Sequence, residues 1–223
     1  LEQYILHKLY TINKSVKQSL KDYNLHRLYK ELLNFCALDL SSFYFDIRKD
    51  VLYCDSIDSQ KRKDCVLVLN IILECLLKWF APILVFTTEE IYDLISKEKN
   101  KSIHEYTFKD LPEKFHNQKL DLKWKELFKI KQEANIAIEE KRAKKIIGSS
   151  LEAEIKITAD SKSFQILEGL NLAEYFITSK AEKFKSDKDT KINIEVQKTK
   201  GTKCPRCWKI LEKNCERCEK VKS

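Results

Sequence analysis

The stretch Val66-Leu67-Val68-Leu69-Asn70-Ile71-Ile72-Leu73-Glu74-Cys75-Leu76-Leu77-Lys78-Trp79-Phe80-Ala81-Pro82-Ile83-Leu84-Val85-Phe86 decides what kind of protein this is. Its 21 mostly apolar residues are long enough to cross a bilayer as a helix. Yet Asn70, Glu74 and Lys78 recur every fourth position, so in a helix they line one polar stripe. Glu74 and Lys78 also stand at the i,i+4 spacing that favours an ion pair. A span in lipid rarely carries such a stripe, whereas a core-facing helix of a water-exposed bundle should. The stretch therefore reads as a bundle helix, and no membrane partner is expected. Pro82 ends or kinks it, and Thr87-Thr88-Glu89-Glu90 has the form of a cap for a further helix through Ile95. Trp79, Phe80 and Phe86, in the most apolar part, are expected in the core.

Upstream, Leu1, Ile5, Leu9, Ile12, Val16 and Leu20 recur at intervals of three or four and mark one face of a first helix. Asn24 is placed to cap a second, which carries Leu25, Leu28, Leu32, Phe35, Cys36, Leu40, Phe43 and Ile47. Arg48 to Gln60 is polar and reads as a connection, with the next helix rising from about Asp58. Downstream, Lys97 to Lys119 reads as a linker or surface loop. Leu120, Trp124, Leu127, Ile130, Ala134, Ala137 and Ile138 then mark another helix, with Lys141, Arg142, Lys144 and Lys145 before Gly148 as a C-terminal signal. Alternation from Leu151 to Thr158 predicts a half-buried strand. A short helix is expected around Lys162–Leu167, and further strands at Ala173–Thr178 and Lys191–Val196.

Composition agrees with long helices in water: 43% apolar and 34% charged residues, but only 3 Gly and 3 Pro for tight turns. The formal charge of +8 favours a polyanionic partner, though a diffuse charge is a weak signal. With no methionine at all, even at position 1, the sequence reads as a piece of a larger protein. No secretory leader is visible, and a cytoplasmic protein is expected.

Four cysteines carry the most direct chemistry. Cys204-Pro205-Arg206-Cys207 and Cys215-Glu216-Arg217-Cys218 are two C-x-x-C turns separated by seven residues. Each turn brings two thiolates together, as two corners of a tetrahedral metal site require. The spacer is shorter than the common zinc-ribbon pattern. One structural Zn2+ is the expectation, an iron–sulfur cluster the competitor, and two disulfides the bland alternative. Cys36, Cys54, Cys65 and Cys75 have no paired spacing and read as small buried apolar residues. His7, His26, His104 and His116 have no metal-like spacing either.

These stretches together resemble a known family. Phe43-Tyr44-Phe45-Asp46-Ile47-Arg48-Lys49-Asp50 and Lys78-Trp79-Phe80-Ala81-Pro82 through Thr87-Thr88-Glu89-Glu90-Ile91 look like the anticodon-binding helical domain of class I synthetases. Trp124-Lys125-Glu126-Leu127, Lys144-Lys145-Ile146-Ile147-Gly148-Ser149-Ser150-Leu151-Glu152-Ala153 and the terminal cysteine turns narrow this to the C-terminal part of bacterial isoleucyl-tRNA synthetases. The resemblance covers nearly the whole chain in the same order. It implies a mainly α fold: an antiparallel helical bundle (1–108), a helix plus small α+β junction unit (109–198) and a terminal four-cysteine zinc knuckle (199–223). The equivalent region of a valyl or leucyl enzyme, and a zinc-containing protein-interaction module, are the alternatives.

The resemblance also implies what this segment does not do. It has no His-Ile-Gly-His signature, no Lys-Met-Ser-Lys-Ser loop and no Gly-rich phosphate cradle, and Lys185-Ser186-Asp187-Lys188 is only superficially like the second motif. ATP chemistry and editing are expected in parts of the parent enzyme N-terminal to this segment, which itself has no catalytic residues. Its partners should be tRNA(Ile) and the rest of the synthetase chain, and a monomer is expected. RNA contacts are expected from Lys203, Arg206, Trp208, Lys209 and Arg217 on the knuckle, and from Arg142, Lys144 and Lys145 on the helix end. From Lys198 to Ser223 there are nine basic and three acidic residues, a formal +6; a Zn2+ with four thiolates adds −2, leaving +4. Trp208 could stack on a base or pack on the metal core. For the helix-end cations, service to the helix dipole alone is the first expectation and phosphate contact the second.

Overall fold

Asn24 marks the first corner of the chain. Helix α1 (Glu2–Lys21) ends at Asp22, Tyr23 takes a left-handed φ of 51°, and the Asn24 N–H returns to Ser19 O at 2.8 Å. The Asn24 side chain then accepts from the Arg27 N–H at 3.0 Å and starts α2 (Leu25–Asn34). The computed structural model describes residues 1–96, 101–186 and 192–221. They fall into two compact units: Leu1–Arg48 with Ile57–Gln118, and Lys49–Ser56 with Lys119–Ser223. Residues 109–118 thus lie with the first unit, and Lys49–Ser56 with the second.

Helix α2 runs without a break into a π-helical stretch, Phe35–Phe45, and on into α3 (Asp46–Cys54). The expected connection at Arg48–Gln60 is therefore corrected: helix persists to Cys54, and only Asp55–Ser59 connects it to α4 (Gln60–Phe80). Those residues read as loop because they are polar, yet Arg48 is buried and grips Glu2 at 2.5 and 2.6 Å. Ser59 caps α4, and Glu74–Lys78 form the expected pair at 2.5 Å.

Ile5, Leu9, Ile12 and Val16 of α1 are buried, as are Leu28 and Leu32 of α2, and α1 packs against both α2 and α4. Trp79 lies edge-on to Phe35, ring centroids 6.4 Å apart. Burying side chains of this size stabilises the unit by about 1.5–3 kcal/mol each. No described helix is long and apolar enough to cross a membrane.

Helix α5 (Val85–Ile95) starts at Leu84, earlier than the Thr87–Glu90 cap expected from sequence. Thr88 is buried inside it and donates back to Leu84 O at 2.9 Å, so its hydroxyl serves the helix interior. Phe86 is corrected too: it is 89% exposed, on the outward face. The polar stretch after α5 is anchored rather than loose where it is described. Ile103 is buried with Leu77, Ala81 and Tyr92, and the Tyr106 and Tyr92 hydroxyls meet at 2.6 Å. Residues 97–100 lie outside the described set.

The second unit opens on α6 (Gln118–Ala143), which buries Trp124, Leu127, Ile130, Ala134 and Ile138. Its end corrects the Gly148 reading. Lys145, at φ 55°, takes the left-handed position, and the Ile146 N–H closes on Lys141 O at 3.0 Å. Gly148 instead donates to Glu152 Oε2 at 3.0 Å. A 3-10 turn at Ser150–Glu152 precedes β1 (Ala153–Ala159), whose strand starts later than the alternation implied. Helix α7 (Ser161–Ile166) is capped by Asp160.

The expected strand at Ala173–Thr178 is a helix, α8 (Leu172–Tyr175), capped by Asn171 and closed by Ile177 at φ 57°. Its apolar run reads as a strand because a short buried run does not reveal its period. The strand comes later, as β2 (Lys180–Lys185). It pairs parallel with β1, and β3 (Asn193–Lys198) pairs antiparallel on the other edge, giving the order β2-β1-β3. Lys191, the expected start of that last strand, and Asp187–Lys188 lie outside the described residues.

Candidate metal centre and basic surfaces

Gly201, at φ 128°, turns the chain from the sheet into a small hairpin of β4 (Thr202–Lys203) and β5 (Ile210–Leu211). A Cβ there would stand 2.3 Å from Leu211 O, so only glycine fits. The first cysteine turn sits between the two strands. The Cys204 N–H donates to Lys209 O and the Trp208 N–H to Cys204 O, both at 2.9 Å, with Trp208 at a left-handed φ of 64°. The second turn wraps the start of α9 (Glu216–Glu219), with Cys215 at its N-cap and the Cys218 N–H returning to Cys215 O at 2.9 Å. Ser179 ties the hairpin to the sheet by accepting from the Ile210 N–H at 2.7 Å.

The four Sγ atoms of Cys204, Cys207, Cys215 and Cys218 all lie within 4.8 Å of one another. Cys207 and Cys215 are 3.8 Å apart, and all eight cysteines of the chain are free thiols, so the disulfide alternative is set aside. A tetrahedral ion with metal–sulfur bonds of about 2.3 Å needs sulfurs about 3.8 Å apart. The cluster fits such an ion. Burial works to raise the Cys204 thiol, but the backbone N–H groups of Cys207 and Arg206 and the neighbouring thiols bring it down to about 7. Burial pushes the Cys207 and Cys218 thiols up. Four sulfurs this close cannot all ionise without a cation among them.

The residues around the cluster come from Lys49–Ser56. Arg217 holds Asp50 with both terminal nitrogens, at 2.7 and 2.9 Å, and reaches Asp55 at 3.2 Å. Lys209 stands 3.9 Å from Asp50, and Arg206 donates to Tyr53 O at 3.0 Å. Burial alone would raise the Asp50 carboxyl, but Arg217 and then Lys209 hold it below the usual carboxylate range. Cys54 packs on Cys204, Cys207 and Cys218, yet burial and then the Asp50 charge push its thiol up to about 11. Its sulfur is not among the four that come together. Asp50, Tyr53, Cys54 and Asp55 escaped sequence reasoning, because nothing in their spacing points to cysteines some 150 positions away.

The cations expected to meet RNA divide into two groups. Arg206, Lys209 and Arg217 are turned onto Lys49–Ser56. Lys203 and Trp208 face outward: Trp208 is 60% exposed, and the Lys203 ammonium lies 5.6 Å from its ring centroid. Trp208 is thus not core packing. On the end of α6, Arg142 pairs with Glu139 at 2.7 Å, while Lys144 and Lys145 are exposed.

Residues 2–157 match the family model described as the anticodon-binding domain of tRNA ligase. Among curated proteins, the chain is 55% identical to an isoleucine--tRNA ligase of Pelagibacter ubique over 97% of its length. It is 36% identical to one of Agrobacterium fabrum over 94%, and 31% identical to one of Natranaerobius thermophilus over 99%. These alignments cover 24%, 23% and 26% of the relatives, so the chain spans about a quarter of the length of the curated relatives it matches.

Proposed function

Because the chain belongs to the family of anticodon-binding domains of tRNA ligases, we propose that it is the C-terminal part of an isoleucyl-tRNA synthetase and holds the anticodon stem-loop of tRNA(Ile). The observation that carries this reading is the family match over residues 2–157, and the isoleucine--tRNA ligases among the relatives support the choice of amino acid. ATP-dependent isoleucylation belongs to the remainder of the synthetase, and this chain works with it as one cytoplasmic monomer. The helices of the first unit form an antiparallel bundle that supplies a stiff platform.

Cys204, Cys207, Cys215 and Cys218 hold one structural Zn2+. The ion cross-links two turns of a tail too short to bury a core of its own. On that tail, Lys203 and Trp208 offer a charge and a flat ring outward, suited to a phosphate and a splayed base. Lys144 and Lys145, with Arg142, supply a second phosphate contact.

A filter-binding titration of the zinc-loaded chain tests this. Affinity for tRNA(Ile) should exceed that for an RNA of scrambled sequence, and should fall at least about tenfold between about 50 and 200 mM salt. Equal affinity for both RNAs would refute the reading.

A further inference from the structure

Tyr53 stands in the last turn of α3 with 78% of its surface exposed, the most exposed aromatic side chain described in the second unit. Its ring and hydroxyl make no hydrogen bond, ring contact or cation contact among the described residues. A lone exposed ring is ordinary on a protein surface. What sets Tyr53 apart is its mounting. Asp50 and Asp55 are held by Arg217 at 2.7 and 3.2 Å, and Cys54 packs on Cys204, Cys207 and Cys218. The Tyr53 carbonyl itself accepts from the Arg206 guanidinium at 3.0 Å. The backbone on both sides is thus clamped while the ring is left to water. Arg206 also stands two residues before Trp208, the next most exposed aromatic of that unit at 60%. Two bare rings therefore leave the protein from backbone points joined by one arginine side chain and two residues of chain.

We propose that Tyr53 is a second base-stacking residue, together with Trp208, and that the occupant of this surface is an unpaired stretch of RNA. This rests on the tRNA reading above and deepens it, because it adds a helix residue remote in sequence from the cysteines. Single-stranded RNA is held by splaying its bases onto aromatic faces while cations meet the phosphates. Exposed cations accompany both rings: Lys49 one helical turn before Tyr53, and Lys203 at 5.6 Å from the Trp208 ring centroid. Lys49–Ser56 brings one lysine and two aspartates, which takes the formal +4 of the metal-loaded tail to +3, so the surface still suits a polyanion. In a duplex the bases stack on one another and offer no free face to either ring. Rigid mounting favours stacking, since little freedom is lost when a base lands on a fixed ring.

The test is filter binding of tRNA(Ile), of an RNA of scrambled sequence and of a fully paired RNA duplex to the zinc-loaded chain and its Tyr53→Ala, Tyr53→Leu and Tyr53→Phe variants. Tyr53→Ala should weaken tRNA(Ile) binding about 5–150-fold. Tyr53→Leu, apolar but without a flat ring, should lose nearly as much, while Tyr53→Phe should keep the parent's affinity. Zinc and helix content should hold in all three, because the ring is exposed. Duplex binding should not change. Unchanged tRNA(Ile) affinity in Tyr53→Ala overturns the proposal. Full rescue by Tyr53→Leu overturns it too, by reducing the side chain to an apolar contact of the kind a protein partner would use. So does an equal loss on duplex RNA. Should Tyr53→Ala lose zinc, Tyr53→Leu and Tyr53→Phe compared at equal zinc content decide alone. A parent chain that binds tRNA(Ile) no better than the scrambled RNA refutes the function proposed above, a result seen before any variant is compared. A Tyr53→Ala loss on both of those RNAs would still uphold the stacking residue.

Discussion

Trp79 donates its indole N–H to Asn13 Oδ1 at 3.1 Å, and Asn13 passes its own amide to Lys109 O at 3.2 Å. Trp79 is 2% and Asn13 4% exposed, so neither group can turn to water. The chain thereby fixes α4 to α1 with an amide placed among apolar side chains. Asn13→Leu would leave the indole N–H and a carbonyl without their partner and should cost about 2–4 kcal/mol. Urea unfolding of the two proteins checks this; a midpoint unchanged by the substitution would contradict it.

The Glu2–Arg48 pair sets a pH dependence. Burial would raise the Glu2 carboxyl, but the hydrogen bonds and charge of Arg48 hold it below its usual value of 4.5. A carboxyl lowered on folding stabilises the protein above its unfolded value, and that stability is lost as pH falls through the folded value. Glu2→Gln should therefore lower stability by about 1.5–3 kcal/mol at pH 7, and the gap to the parent should close below pH 4.5. A gap that stays constant down to pH 3 would refute the assignment.

Two cysteine substitutions should part company. Cys204→Ser removes a ligand and should abolish zinc retention and leave the tail open to protease. Cys54→Ser removes a thiol outside the four-sulfur group, and should retain one zinc per chain by elemental analysis. Equal zinc loss in both would make Cys54 a ligand and dismiss the four-cysteine set.

Gly201→Ala should loosen the metal hairpin without removing any ligand. The added methyl meets Leu211 O, and φ 128° is costly for any residue with a side chain. Strain of about 1–3 kcal/mol should appear as faster zinc transfer to a chelator. Transfer at the parent's rate would show that the turn relaxes freely.

How much of this the sequence discloses follows from the range of each interaction. The four-cysteine cluster was legible because a C-x-x-C turn is local chemistry, and the apolar faces of α1 and α4 because helical period is local geometry. Helix α3 was not: Arg48, Lys49 and Asp50 read as connecting residues, and the polarity of Asp50 makes sense only beside Arg217. Strand β2 was hidden for a related reason. Lys180, Lys183 and Lys185 make Lys180–Lys185 look like surface, which an edge strand can afford to be. Lys145 takes a left-handed turn that glycine usually marks, and so moved the expected end of α6. Trp208 could be either core or platform by sequence, and its exposure excludes the first.

The outward Trp208 ring should matter to RNA and not to folding. Trp208→Ala should keep zinc and helix content while weakening tRNA(Ile) binding by about 1–3 kcal/mol. Binding unchanged in a filter assay would reduce this face to bare surface.

Nuclease footprinting of tRNA(Ile) by the zinc-loaded chain puts the whole reading at stake. Protection should appear over the anticodon stem and loop and fade in the protein stripped of metal, with the acceptor end cut as freely as in RNA alone. Protection confined to the acceptor end, or no footprint at concentrations that saturate binding, would contradict it.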